Sequence, residues 1–294
     1  MNSLKIAFPS GSLHEATFKL FAKAGYNVRL SPRSYVPEID DPELEGLMFR
    51  AQEIPQYVER GVVDVGLSGK DCILESSAQV VEVAELVYSK TSSRPYRWVI
   101  AVPEDSPIKK IEDLQGKRIA TELPGATRRF LAERGVEAQI DFSWGTTEVK
   151  ANIPGIADAI VDGTETGSSL RANRLRVLET MFSSTTRLIA NKSSWEDAWK
   201  REKAENLILL LKGALEAEAK VGLKMNVPSS KLQDVIALLP ALTAPTVSNL
   251  YGTESDWFAV ESVIAEATVR DLIPKLLRIV AVWIIEYPLN KIVG

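Results

Sequence analysis

The sequence predicts an α/β protein built from more than one compact piece, and three observations carry that prediction. Short apolar runs alternate with helix-compatible segments through most of the first two-thirds of the chain, the pattern of α/β units on mainly parallel sheets. Residues 195–221 contain no proline and a single glycine and read as one long helix, with Leu207, Leu210, Leu211, Ala214 and Leu215 on one face. After Gly222 the order becomes strand, helix, strand, strand, helix, strand, the split βαββαβ unit of ferredoxin-like domains.

The first unit is a buried strand at residues 4–8, broken by Pro9-Ser10-Gly11-Ser12. A helix follows, with Leu13, Thr17, Leu20, Phe21 and Ala24 at helical spacing, and stops at Gly25. Residues 30–50, with Pro32, Pro37 and Pro42, read as irregular. A helix at 54–60 ends at Gly61, a strand at 62–67 meets the small polar loop Ser68-Gly69-Lys70-Asp71, and 80–88 is a further strand. The polar segment 91–95 then reads as a crossing between two lobes with a cleft between them. Beyond it come strands at 97–102, 118–121 and 138–142, a helix at 125–134, a short helix opened by Gly145-Thr146-Thr147-Glu148, and two strands within 177–190. The last domain has strands at 223–227, 246–250, 257–264 and 282–287, a turn at 252–256, and helices near 228–239 and 269–279.

Composition narrows the function classes. The chain has 294 residues, of which 45% are hydrophobic and 25% charged, with a net charge of −4. That balance suits ordinary globular cores and argues against a surface that coats nucleic acid. One cysteine, Cys72, excludes an internal disulfide framework and a cysteine-rich zinc site. One histidine, His14, excludes a multi-histidine metal centre. The start, MNSLKIAF, shows no signal-peptide pattern and no uncharged apolar stretch reaches membrane-spanning length, so the expectation is a cytoplasmic protein without a membrane partner.

The stretch most suggestive of chemistry is ADAIVDGTETGSSL, residues 157–170. An apolar strand ends in Asp162, and Gly163, Thr164, Glu165, Thr166, Gly167, Ser168 and Ser169 follow before a helix begins. Backbone N–H groups at such a loop and helix start suit a phosphate, with hydroxyls as further donors. Asp158 and Asp162, four apart, suit sugar hydroxyls or a hard cation such as magnesium. The same pattern also serves as a plain turn with an N-cap. It is neither a Walker loop nor a dinucleotide GxGxxG.

Several separated stretches together resemble one family. RAQEIPQYVERGVVDVGLSGKD (50–71), GIADAIVDGTETGSSLRAN (155–173), LLPALTAPTVSNL (238–250) and YPLNKIV (287–293) occur in the order found in ATP phosphoribosyltransferases of the long form. The resemblance implies two catalytic lobes similar to type II periplasmic binding proteins, lobe I from 1–93 and 185–212 and lobe II from 94–184. It also implies a histidine-binding, ACT-type regulatory domain from 213 to 294. The implied reaction joins N1 of ATP to C1 of phosphoribosyl pyrophosphate (PRPP), with magnesium required and pyrophosphate released. Homo-oligomers, dimers and hexamers, and feedback inhibition by histidine are implied with it.

By that resemblance Thr164 to Ser169 cradle the 5′-phosphate of PRPP and Asp162 contacts the ribose. Asp158 is implied for ribose or magnesium, with capping of its strand as the alternative, and Glu148 is a further contact. Gly11, Ser12, Leu13, Arg33, Arg50 and Asp71 belong to the ATP or pyrophosphate side, where forked guanidinium donors suit phosphate oxygens. A surface ion pair is the ordinary alternative for the arginines. Asn226 and Thr246 are the candidates for histidine contacts. The chain departs from the family pattern in four places. Lys and Arg are missing from its first loop, Glu165 stands in the phosphate loop, Arg174 occupies a position where glycine is common, and Ile279-Val280-Ala281 replaces a Gly-Ala turn. The reading from another class is a non-catalytic nucleotide sensor, and a phosphoribosyltransferase acting on another base is a third.

Overall fold

The apolar run at the start forms β1 (Leu4–Ser10) because both of its faces are covered; Leu4, Ile6, Ala7 and Phe8 are fully buried. The computed structural model describes residues 2–88, 96–240, 244–250, 256–279 and 281–294. The crossing segment expected at 91–95 and most of the turn expected at 252–256 lie outside the described residues.

α1 (His14–Ala24) follows β1, and a small hairpin, β2 (Val28–Arg29) with β3 (Glu38–Ile39), leads to β4 (Leu44–Arg50). The irregular reading of 30–50 is therefore corrected over its last seven residues. There Leu44, Gly46 and Met48 alternate inward and pair in parallel with β1, a pattern that the three preceding prolines mask in the sequence. α2 (Ile54–Glu59), β5 (Val65–Gly69), α3 (Lys70–Ser76) and β6 (Val81–Leu86) complete this part. The loop expected at 68–71 does not exist as one. β5 runs to Gly69, whose extended backbone caps α3 directly.

The second set comprises β7 (Tyr96–Pro103), β8 (Arg118–Thr121), α4 (Pro124–Ala132), β9 (Gln139–Phe142), α5 (Thr147–Lys150), β10 (Ala159–Thr164), α6 (Ser168–Ala172) and β11 (Leu175–Ser184). The chain then returns as β12 (Thr186–Ala190) to the first sheet, between β5 and β6. The sheets run β4-β1-β5-β12-β6 and β11-β7-β10-β8-β9. Both are mixed rather than mainly parallel. β12 is antiparallel to both its neighbours, and β7 is antiparallel to β10 and β11, because the chain leaves and re-enters each sheet from opposite directions.

The helix expected over 195–221 is two helices and a strand start: α7 (Lys192–Glu196), a break at Asp197, α8 (Ala198–Ala217), then β13 (Lys220–Pro228). Asp197 has extended backbone and its carboxylate accepts from the Lys200 N–H at 2.9 Å, so this side chain caps a fresh helix. Ala204, Leu207, Leu211, Ala214 and Ala217 make the buried stripe of α8.

The C-terminal domain adds α9 (Leu232–Leu238), β14 (Thr246–Asn249), β15 (Trp257–Ala265), α10 (Glu266–Arg278) and β16 (Val282–Pro288). Its antiparallel sheet runs β14-β15-β13-β16, the strand order of a split βαββαβ unit. Val221, Leu223, Met225 and Val227 alternate toward a core shared with Val269, Leu272 and Leu276 of α10. The described chain divides into two compact units: Met1–Ala22 with Tyr26–Ile208, and Lys23–Gly25 with Leu209–Gly294. The division falls inside α8. Among the described residues no helix is long and apolar enough to cross a membrane.

One buried acid ties the start of β1 to the helices that follow β12. Asp64 is 6% exposed and accepts from Lys5 N–H (2.8 Å), Ser194 Oγ (2.6 Å) and Lys200 Nζ (2.7 Å). Burial pushes its carboxyl up, but the hydrogen bonds from Lys200, Lys5 and Ser194 outweigh this and hold it below the ordinary range. A lowered folded-state pKa contributes stability above the unfolded value that is lost as pH falls through the folded one. Asp64→Ala is expected to cost about 3 kcal/mol, the low end for a broken buried pair because Lys200 reaches water. Denaturant melts at pH 7 and at pH 3 measure it, and the gap between wild type and variant narrows at the lower pH.

Candidate active site

β10 is the central strand of its sheet, antiparallel to β7 and parallel to β8, and its carboxyl end carries Asp162, Gly163 and Thr164 opposite Val99, Trp98 and Arg97. The strand runs two residues further than the sequence suggests, so Gly163 and Thr164 are held in the ladder instead of belonging to a free loop. The turn Glu165–Gly167 then opens α6. Gly167 sits in the left-handed region at φ +74°, which favours glycine, and its N–H donates to Thr164 Oγ1 at 2.8 Å. Thr166 Oγ1 donates to Ser168 Oγ at 3.0 Å, and Arg171 Nη1 donates to the Thr166 carbonyl at 3.1 Å. α6 has only five residues, so the loop's own N–H groups and hydroxyls, more than a helix dipole, are what it offers an anion.

Asp162 is half-buried. Burial pushes its carboxyl up to about 6; the Gly163 N–H at 2.8 Å opposes the shift, and Glu148 and Glu122 reinforce it. Glu148 reaches the far end of the same loop, accepting a hydrogen bond from Ser169 Oγ. Glu122, at the carboxyl end of β8, and Arg171 are participants that sequence reasoning missed; the position of Glu122 just after a strand of the same sheet was the available signal. Tyr96 was missed as well. Its ring lies directly on Gly163, where a Cβ would overlap Cε1, and burial followed by the Asp162 carboxylate pushes its phenol up.

The structure does not bring Asp158 to this site. It precedes β10 at the opposite end, where its carboxylate accepts from the Arg118 N–H at 2.9 Å. Four residues of extended strand put it about 13 Å from Asp162, so the two do not form a cation pair and the capping alternative is the one realised.

A second cluster lies at the carboxyl ends of β1, β4 and β5. The register sets Ser10 opposite Arg50, and the Arg50 guanidinium lies against Gly11, with Ser12 and Leu13 completing the turn into α1. Arg33 lies in the turn between β2 and β3, exposed and left-handed at φ +68°. Asp71 serves as a latch: its carboxylate accepts from Ser184 Oγ (2.8 Å) and Trp98 Nε1 (3.2 Å), and Trp98 is the register partner of Gly163. Nearby, Glu75 of α3 accepts from the Gly125 and Ala126 N–H groups at 2.9 and 2.8 Å, capping α4 of the other sheet. Arg174 adopts φ +53°, a left-handed conformation that glycine takes without steric cost.

In the C-terminal sheet Asn226 pairs with Ala259 and Thr246 with Glu261. Both therefore lie on the sheet face away from the helices, on opposite sides of β15.

The contact of Tyr96 with Gly163 is testable by itself. Gly163→Ala is expected to destabilise by about 1–3 kcal/mol, as overpacking does. Adding Tyr96→Ala should restore much of that loss, and a double-mutant cycle in denaturant measures the coupling.

Comparison with known proteins identifies the family. The model described as ATP phosphoribosyltransferase matches residues 50–213, and that described as HisG, C-terminal domain, matches residues 217–291. The chain is 58% identical over 290 residues to the ATP phosphoribosyltransferase of Thermodesulfovibrio yellowstonii, covering 99% of this chain and 98% of that one. It is equally 58% identical over 290 residues to that of Desulforudis audaxviator, covering 99% of each. Among solved structures, a chain of the ATP phosphoribosyl transferase (HisG:HisZ) complex from Thermotoga maritima aligns with a TM-score of 0.62 at 30% identity. That alignment covers 72% of this chain and 98% of that chain. A loop-bearing acid at the end of a central strand, an arginine against a facing turn, and full-length similarity of this order have one reading: the chain belongs to the ATP phosphoribosyltransferase family.

Proposed function

We propose that this chain transfers the phosphoribosyl group of PRPP to N1 of ATP, the first step of histidine biosynthesis. The supporting observation is the half-buried Asp162 carboxylate at the head of the Thr164–Ser169 turn, with Glu148 bonded to the turn's far end. In the reaction a C–N bond forms between ribose C1 and adenine N1 while the bond from C1 to the pyrophosphate oxygen breaks and its electron pair leaves with pyrophosphate. Positive charge builds on the ribose ring, and N1 attacks with a lone pair it already has. Asp162, ionised, accepts from ribose hydroxyls and stabilises that charge. Thr164, Thr166, Ser168 and Ser169 hold the 5′-phosphate, and Arg171 braces the loop through the Thr166 carbonyl. Arg50 beside Gly11 suits the phosphates of ATP, and the remaining work is positioning.

Magnesium belongs to this proposal. Among the described residues no three His, Cys, Asp or Glu side chains converge to hold a metal; a magnesium ion with one or two protein carboxylates would complete its shell with other oxygen ligands. Asp162 and Glu148 are the carboxylates that fit it, since burial and mutual repulsion leave Asp162 short of positive charge. When bound, magnesium held by Asp162 and Glu148 would supply positive charge against the departing pyrophosphate. Histidine bound to the open face of the C-terminal sheet, at Asn226 and Thr246, inhibits the reaction.

Pyrophosphate release that needs both ATP and PRPP tests the proposal, and its absence with both present overturns it. Asp162→Asn is expected to reduce turnover on the order of 10- to 100-fold, the size of a lost charged hydrogen bond. In the wild type kcat/KM falls as pH drops through about 6, where Asp162 takes up a proton, and the variant loses that limb. A raised carboxyl pKa means that folding stability is lost as pH rises through it, so Asp162→Asn also raises Tm at pH 8 without substrate. For the regulatory reading, Asn226→Ala and Thr246→Ala should weaken inhibition by histidine while leaving the uninhibited rate unchanged; inhibition titrations decide it.

A further inference from the structure

Among the described residues Trp144 is the most exposed large hydrophobic, at 92%, and strand register places it on the carboxyl edge that carries Asp162. It follows β9, which pairs in parallel with β8, as β8 does with β10. The registers set Phe142 level with Thr121 and Thr121 level with Val161, so Phe142 lies one residue short of the level of Asp162. Two strand spacings separate β9 from β10, about 10 Å. Trp144 therefore projects from the same carboxyl edge as Asp162, to one side of the phosphate loop.

Its loop is held in place. Ser143 N–H donates to the Thr121 carbonyl at 2.7 Å, and the buried hydroxyls of Ser143 and Thr147 meet at 2.7 Å. Gly145 and Thr146 both have positive φ, +121° and +50°, which turns the chain sharply from Trp144 into α5 and its Glu148. Phe142 meets the indole edge-to-face, with centroids 4.7 Å apart, and so orients it while leaving most of its surface to water. Phe142 and Trp144 together form an aromatic pair, 50% and 92% exposed, open at the edge of the sheet.

The chemistry of the indole selects its ligand. Its face stacks on a flat aromatic ring and offers phosphate oxygens no donor; the charged groups near it are Asp162, Glu148 and Glu122 along the edge and Lys150, whose ammonium donates to Ser143 Oγ. Arg50, the cation that suits a triphosphate, lies at the turn after β1 instead. We propose that the Trp144 indole, braced by Phe142, stacks on the adenine ring of ATP and sets N1 toward the ribose held at Asp162. This rests on the transferase reading for the identity of the nucleotide.

The experiment is equilibrium ATP binding by calorimetry on the full chain, with PRPP binding, melting temperature and solution mass measured beside it. Trp144→Ala is expected to weaken ATP binding roughly tenfold, within the range for loss of one base–aromatic stack. Trp144→Phe should retain most of the affinity, and neither variant should change PRPP binding or melting temperature. In turnover the loss appears in KM for ATP. Equal ATP affinity in Trp144→Ala and wild type overturns the proposal and leaves the transferase reading intact. A change in solution mass in Trp144→Ala also overturns it, by showing that the aromatic pair faces a second copy of the chain. Wild-type protein that binds ATP but releases no pyrophosphate overturns the transferase reading instead, and the comparison of ATP affinities still decides the role of Trp144.

Discussion

A carboxylate withdrawn from water, with no cation among the described residues acting on it, is the constraint around which the catalytic unit is arranged. Asp162 carries burial, the repulsion of Glu148 and that of Glu122 against a single opposing N–H. Such a group is costly for the free protein and inexpensive once a ligand brings positive charge or hydroxyl donors. Its position depends on β10 being held from both sides, antiparallel to β7 and parallel to β8. It depends equally on Gly163 having no side chain, since the Tyr96 ring occupies the space a Cβ would need.

The two sheets of this unit are joined by polar contacts between α3 and the second sheet. Asp71 bonds Ser184 and Trp98, Glu75 caps α4, and the Arg129 guanidinium donates to the Leu74 carbonyl. Trp98 lies opposite Gly163, so the Asp71 latch reaches the Thr164–Ser169 turn through a single strand pair. Asp71 is thus a structural link, each of its carboxylate oxygens accepting one hydrogen bond from the second sheet. Elsewhere Asp64 does similar work with better compensation, because Lys200 supplies the charge that Asp162 lacks.

Much of this was readable in the residues. The alternation of apolar runs, the C-terminal βαββαβ order and the Gly/Thr/Ser turn after residue 161 follow from local periodicity and turn chemistry, which act over a few residues. The failures share a cause. β4 was hidden by three prolines, though Leu44, Gly46 and Met48 alternate correctly for a strand beside β1. The long helix was read through Asp197, where one side chain caps a new helix. Asp158 and Asp162 look like a pair in sequence, but an extended strand places them at opposite ends.

By itself the sequence determined the fold class, the family and the Gly/Thr/Ser turn after residue 161, because each is carried by contiguous residues whose spacing is their geometry. Only the tertiary structure decided which distant groups share the site. Parallel pairing brought Arg50 to Gly11 and set Phe142, Thr121 and Val161 on one level, with Trp144 beyond them on the rim. The same pairing, with Tyr96 packed on Gly163, surrounded Asp162 with protein and other acids. Strand register and burial are properties of neighbours far apart in the chain, and a carboxyl pKa is set by those neighbours and not by its own residue.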